Sequence, residues 1–151
     1  MIIDINGSMF KLAPAGSLVG IPVNTVGVTG KGLAKYMEVR WPEARSHYWR
    51  ECKRGRMSVG ELKTFVTDDY HLAFVPTKFY WGNPSTVVQI NDSLARLSDY
   101  MTVNGIKECH ISELGCGKQT GMLDYRRDVL PLMLRYFSDS HPLTAYVYHW
   151  S

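Results

Sequence analysis

The chain has 151 residues, 45% of them hydrophobic and 21% charged, and 17 lysines and arginines against 14 aspartates and glutamates leave a net charge of +3. This is the balance of one soluble globular domain, long enough to bury a core without staples, and its mild basicity admits an anionic ligand without demanding one. The opening MIIDINGSMFK has no basic segment before an apolar run, no stretch approaches the ~20 apolar residues that span a bilayer, and Cys52, Cys109 and Cys116 are an odd set without CxxC spacing, so no secretory leader or membrane span is expected, and the cysteines read as free thiols of a reducing compartment and not as a disulfide framework or zinc site.

In chain order, MIIDI and SLVGIPV read as strands, the second running into the glycine-rich VNTVGVTGKG of residues 23–32. KGLAKYMEVRWPEARSHYWRECKR reads as helical, bent or broken near Pro42. ELKTFVT and HLAFVPT read as two strands around the turn DDY. NPSTVVQINDSLARLSDYMTVNG is a helix by the spacing of Val87, Ile90, Leu94, Leu97 and Met101, closed by Asn104 and Gly105. KECHISEL is a strand, and LDYRRDVLPLMLRYF a helix that accommodates Pro131 only with local distortion. LTAYVYHW is a last strand with Tyr146, Tyr148 and Trp150 on one face. Strands interleaved with helices predict a single α/β domain with helices on both faces of a mixed sheet. Ligands of such sheets lie at the carboxyl ends of the strands, which draws attention to the loops 23–32, 76–85 and 114–124.

Each of these loops has its own chemistry. In the first, Gly27, Gly30 and Gly32 precede a helix, an arrangement that aims free N–H groups at an anion, although a tight turn without a ligand needs the same residues. In the third, LGCGKQTGM, Gly115, Gly117 and Gly121 repeat the pattern, and two such loops at neighbouring strand ends can clamp a diphosphate from both sides. The second, VPTKFYWGNPS, sets Lys78 beside Phe79, Tyr80 and Trp81. Lys78 is either a surface lysine next to packed aromatics or an amine desolvated by them, with a lowered pKa suited to nucleophilic or acid–base work. The basic run RECKRGR at 50–56 reads either as a solvated helix end or as a phosphate-backbone contact.

VNTVGVTGKGLA, FVPTK and LGCGKQTGMLDY, in this order and spacing, resemble the macrodomain family, in particular the branch of terminal ADP-ribose glycohydrolases and DarG antitoxins. The resemblance runs from NGSMF to AYVYHW and implies one macrodomain over residues 1–151, a mixed sheet sandwiched between helices with an ADP-ribose cleft across its strand ends. It implies that Asn24 touches the distal ribose, that Gly30, Lys31 and Gly32 lie along the ribose and diphosphate, and that Gly115, Cys116, Gly117 and Gly121 present backbone N–H groups from the other side. Lys78 falls on the lysine this branch uses in catalysis. Asp124 matches an aspartate of the DarG-like third loop, with a helix N-terminal carboxylate as its plainer role. Ser8 stands where relatives carry an acidic residue that reads adenine, so adenine is held more weakly or Asp4 substitutes. The implied activity is ADP-ribosyl glycohydrolysis on thymidine in DNA or on protein carboxylates, with a non-catalytic ADP-ribose reader and an ADP-ribose 1''-phosphate phosphatase as alternatives. The basic run, with Lys107 and Lys118, leans toward DNA. ADP-ribose and an ADP-ribosylated target are the expected partners. A cytoplasmic monomer is expected, in a phage or toxin–antitoxin setting, without metal, cofactor or membrane. The five histidines are scattered and read as structural or surface residues.

Overall fold

The structure, a computed structural model, describes residues 1–29, 32–79, 84–116 and 123–149. The described elements are strand β1 (Ile2–Ile5), helix α1 (Met9–Leu12), β2 (Leu18–Asn24), α2 (Gly32–Arg40), α3 (Pro42–Lys53), β3 (Lys63–Val66), β4 (His71–Lys78), α4 (Val87–Val103), β5 (Glu108–Ser112), a π-helical turn (Tyr125–Val129), α5 (Leu130–Phe137) and β6 (Thr144–Tyr148). The strands form one six-stranded sheet in the order β1-β6-β5-β2-β4-β3. Only the edge pair β3–β4 is antiparallel; the other ladders are parallel. The expected mixed sheet between helices is therefore present. No helix among the described residues is long and apolar enough to cross a membrane.

β2 lies inside the sheet, and its sequence LVGIPVN is buried almost throughout, as a strand covered on both faces must be. Alternate side chains serve two cores. Val19, Ile21 and Val23 join Leu72 and Phe74 of β4 under α1, α2 and α3. Leu18 joins Ala73, Val75 and Ile111 under α4 and α5. Gly20 has no room for a side chain, because a Cβ there would come within 2.7 Å of the Ile111 side chain. Pro22 is tolerated in an inner strand because the β2–β5 register covers only Leu18↔Cys109 and Val19↔His110, so no N–H is withdrawn from that ladder at position 22.

Two prolines shape the helices as their chemistry requires. The long helical stretch breaks at Trp41, which leaves the helical region (φ −131°, ψ 79°) as the residue before Pro42, while Pro42 opens α3. Pro131 cannot donate to the carbonyl four residues back, and its distortion takes the form of the π-helical turn, in which the Leu130 N–H reaches Tyr125 O. α4 starts on a reciprocal cap: the Thr86 hydroxyl accepts from Gln89 N (3.3 Å) and donates to Gln89 Oε1 (2.8 Å). The short α1 has no counterpart in the sequence expectations, since four residues are too few to show a helical period. Tyr146 and Tyr148 both lie beside the buried His110, the first stacked on it at 4.7 Å and the second within hydrogen-bond distance of Nδ1 (2.7 Å). Trp150 lies outside the described residues.

Candidate functional site

The carboxyl ends of β5, β2 and β4 are neighbours in the sheet, so the three singled-out loops start side by side. The β2–β4 ladder ends irregularly: Val23 opposes Pro76, but Asn24 opposes Lys78, so Thr77 is an extra residue. A bulge of this kind bends a strand and re-aims the side chains beyond it. It sets the half-buried Lys78 opposite Asn24, at the last rung of two parallel strands. The Ser85 hydroxyl donates to Thr77 O at 2.7 Å and holds the return of the second loop against the bulge.

Asn24 organises the first loop. Its Oδ1 accepts from the N–H groups of Val26 (3.1 Å), Gly27 (3.0 Å) and Val28 (3.2 Å) and from the Tyr48 hydroxyl (3.0 Å), and its Nδ2 donates to Val28 O (3.0 Å). Tyr48 also donates to Asn24 O at 2.8 Å. Burial pushes the Tyr48 phenol well above its ordinary pKa, so it stays a donor. The amide expected to face a ribose thus spends these hydrogen bonds on its own loop and α3. Thr25 fastens this loop to the second one, its N–H reaching Lys78 O (3.1 Å) and Phe79 O (3.0 Å) and its hydroxyl Phe79 O (2.6 Å). Gly27, at φ +92°, lies against Trp49, whose Cδ1 would be 3.2 Å from a Cβ at position 27. Gly32 opens α2 at φ +68° with open space where a side chain would point. Gly30 and Lys31 lie outside the described residues.

In the third loop Gly115 sits at φ +77°, and a Cβ there would meet Ser85 at 3.0 Å and Ile90 at 3.1 Å. Its carbonyl accepts from Leu123 N (3.2 Å), which closes the loop at its base. The Cys116 N–H, expected to face a diphosphate, here donates to Glu113 O at 3.1 Å as part of a turn. Burial, and then the charges of Glu113, Asp124 and Asp128, push the Cys116 thiol up to about 12, so it is not a nucleophile. Gly117 and Gly121 lie outside the described residues. Asp124 is exposed and caps the π-helical turn: its Oδ1 accepts from Arg127 N at 2.8 Å, while its own N–H donates to Asp128 Oδ2 at 2.8 Å. The geometry displays the capping role.

Ser8 is exposed at the start of α1 and makes no side-chain cap. Nearby, a cluster that the sequence did not announce gathers at the ends of β1, β5 and β6. His149 makes 2.6 Å contacts from Nδ1 to Glu113 Oε1 and from Nε2 to Asp4 Oδ1, with Tyr125 edge-on at 5.0 Å. Burial favours the neutral ring, but the hydrogen bonds to Glu113 and Asp4 outweigh it and raise the His149 pKa. Asp4, the alternative adenine reader, therefore has one oxygen engaged by His149. A polar residue at or just past the end of each of three adjacent strands was the available signal, but it requires the strand order to be known. The described residues contain no group of three or more histidine, cysteine or acidic side chains arranged to hold a metal ion.

No protein-family model matches the chain. The chain is 33% identical over 132 residues to the DNA ADP-ribosyl glycohydrolase of Mycobacterium tuberculosis, across 83% of this chain and 36% of that protein. It spans about a third of the length of the curated relatives it matches. The macrodomain of Mycobacterium tuberculosis DarG superposes with a TM-score of 0.85 at 29% identity, covering 100% of this chain and 99% of that one. DarTG of Thermosipho africanus in complex with ADP-ribose superposes with a TM-score of 0.81 at 25% identity, covering 98% of this chain and 42% of that one.

Proposed function

We propose, from the premise that this chain belongs to the macrodomain family, that it is an ADP-ribosyl glycohydrolase that removes ADP-ribose from thymidine in DNA. The observation that carries this reading is the bulged end of β4, which sets Lys78 opposite Asn24 at the last rung of two parallel strands, beside the start of the first glycine loop. A pure binding cleft has no need of a lysine there. The names of relatives, DNA ADP-ribosyl glycohydrolase, and a relative's complex with ADP-ribose favour the same ligand and the same bond.

In this reading the first loop holds the distal ribose and Gly32 lies beside it, with Gly30 and Lys31 along the ribose and diphosphate and Gly115, Gly117 and Gly121 opposite them. The nitrogen lone pair of the Lys78 amine attacks C1 of the distal ribose. The C1–N bond to the base breaks, the base takes a proton, and water later hydrolyses the adduct to free ADP-ribose and the amine. Asp124, fixed as a cap, is the secondary candidate for moving the proton. Holding the ribose against the amine supplies near-attack geometry.

The experiment is release of ADP-ribose from an ADP-ribosylated oligonucleotide and from a glutamate-ADP-ribosylated protein, by the parent, Lys78→Ala and Lys78→Arg. Lys78→Ala is expected to keep ADP-ribose affinity and lose turnover on the oligonucleotide by on the order of 10²-fold or more. Arginine stays charged and is no nucleophile, so rescue by Lys78→Arg would assign the lysine an electrostatic role. Full activity in Lys78→Ala overturns the assignment. ADP-ribose binding without release from either substrate makes the chain a reader, and release from the protein alone moves the target to carboxylates.

A further inference from the structure

Beside the Asn24 loop lies a surface that the reaction itself does not use, and we infer that it is a track for single-stranded DNA flanking the modified nucleotide, with Trp49 and Phe79 as base-stacking platforms. The inference rests on the proposed activity for its substrate. It stands on its own observations for the surface.

Trp49, in the last turns of α3, is 40% exposed, and Phe79, directly after Lys78, is 66% exposed. Both flank the same three residues. Trp49 lies against Gly27, and Phe79 O takes two hydrogen bonds from Thr25. Two large aromatics left in water on either side of a candidate site are costly as mere surface, and such patches mark interaction sites. The exposed charges at the end of α3 beside Trp49 are positive. Arg50, Lys53 and Arg54 are exposed and form no ion pair among the described residues. Lys53 Nζ stands 5.4 Å from the Trp49 ring centroid. Arg56 is 3.8 Å from Glu51, so part of its charge is already countered.

Cations interleaved with exposed rings are what a flexible polyanion with unpaired bases requires. The cations follow the phosphates, and each ring takes a base face irrespective of sequence. A duplex has no free base faces to offer. An acidic peptide would use the cations but leave the rings unemployed. The track begins next to Lys78, so a strand whose modified base sits in the cleft would cross Phe79 first.

The test compares the parent with Phe79→Ala, Trp49→Leu and the triple variant Arg50→Glu, Lys53→Glu, Arg54→Glu. Binding of an unmodified fluorescent oligothymidylate is read by anisotropy across salt concentrations, ADP-ribose binding by calorimetry, and turnover on an ADP-ribosylated oligonucleotide, nucleoside and peptide by release of ADP-ribose. Each aromatic variant is expected to weaken oligothymidylate binding and raise KM on the oligonucleotide by about 5- to 100-fold. ADP-ribose affinity stays as in the parent in each variant, and Trp49→Leu keeps the parent's turnover of the nucleoside. The triple variant is expected to flatten the slope of log K against log salt by about 2, at ~0.7 for each phosphate that the cations no longer neutralise. Oligothymidylate binding that is equal in all four proteins overturns the track, as does a loss of the same size on the nucleoside in Trp49→Leu. Loss confined to the peptide assigns the surface to protein targets instead. Because oligothymidylate carries no ADP-ribose, variants that lose its binding uphold the track even if the parent releases nothing, in which case the glycohydrolase reading alone fails.

Discussion

Asn24 carries more of the first loop than its sequence context suggests. One oxygen collects three backbone N–H groups and a phenol, and the Nδ2 group returns to Val28 O. An asparagine before a glycine turn is a known turn-former, so this role was legible in principle, whereas the bond from Tyr48 was not, because it comes from another helix. Asn24→Ala would leave these donors to water, at roughly 1–3 kcal/mol. For a chain of this size that corresponds to a melting temperature lower by about 2–12 °C. Thermal unfolding of the free protein checks it: an unchanged melting temperature with weakened ADP-ribose binding would mean that the side chain serves the ribose and not the loop. At this scale the residue types at the site were readable, but the direction each one faces was not. Lys78 was identifiable beside its aromatics, yet its place opposite Asn24 depends on a bulge at Thr77 that no local pattern encodes.

Elements were the most legible level. The apolar run of β2, the spacing of α4 and the break at Pro42 all follow from nearest-neighbour chemistry and appear where expected. Distortion at Pro131 was foreseeable, but not that it would be a π turn capped by Asp124. The pairing of elements was illegible, because strand order is decided by packing across the whole sheet. The two described glycines expected at the ligand differ at this level. Gly115 is pressed on Ser85 and on Ile90 of α4, whereas Gly32 faces open space, and both have positive φ. A substitution at Gly32 meets only backbone strain, on the order of 1–2 kcal/mol. One at Gly115 adds a clash of about 1–3 kcal/mol. Urea unfolding of Gly32→Ala and Gly115→Ala should therefore show the larger loss of stability at Gly115. Equal losses would show that α4 yields easily and that the close contact is not what fixes the loop.

Across the whole molecule, His149 is the knot that joins the outer half of the sheet at the carboxyl ends of its strands. Its backbone N–H reaches Ile5 O (3.1 Å), and its ring bridges Asp4 and Glu113. The folded state raises its pKa, so its contribution is fully present below the unfolded value of ~6.5 and is lost as pH rises through the higher folded value. His149→Gln should accordingly lower the melting temperature more at pH 5.5 than at pH 9. The difference is about 2 °C, since partly exposed ion pairs are worth at most ~1 kcal/mol. A loss independent of pH would leave packing alone as the role of the ring. The same half of the sheet joins the first strand to the last, Ile2 opposite Ala145 and Ile5 opposite Tyr148. On a ribosome adding ~5–20 residues per second, β1 emerges on the order of ten seconds before β6 exists to receive it. Throughout that wait three isoleucines stand without a partner, and Asp4 between them is the lone charge that keeps the nascent strand from pairing with a neighbouring chain.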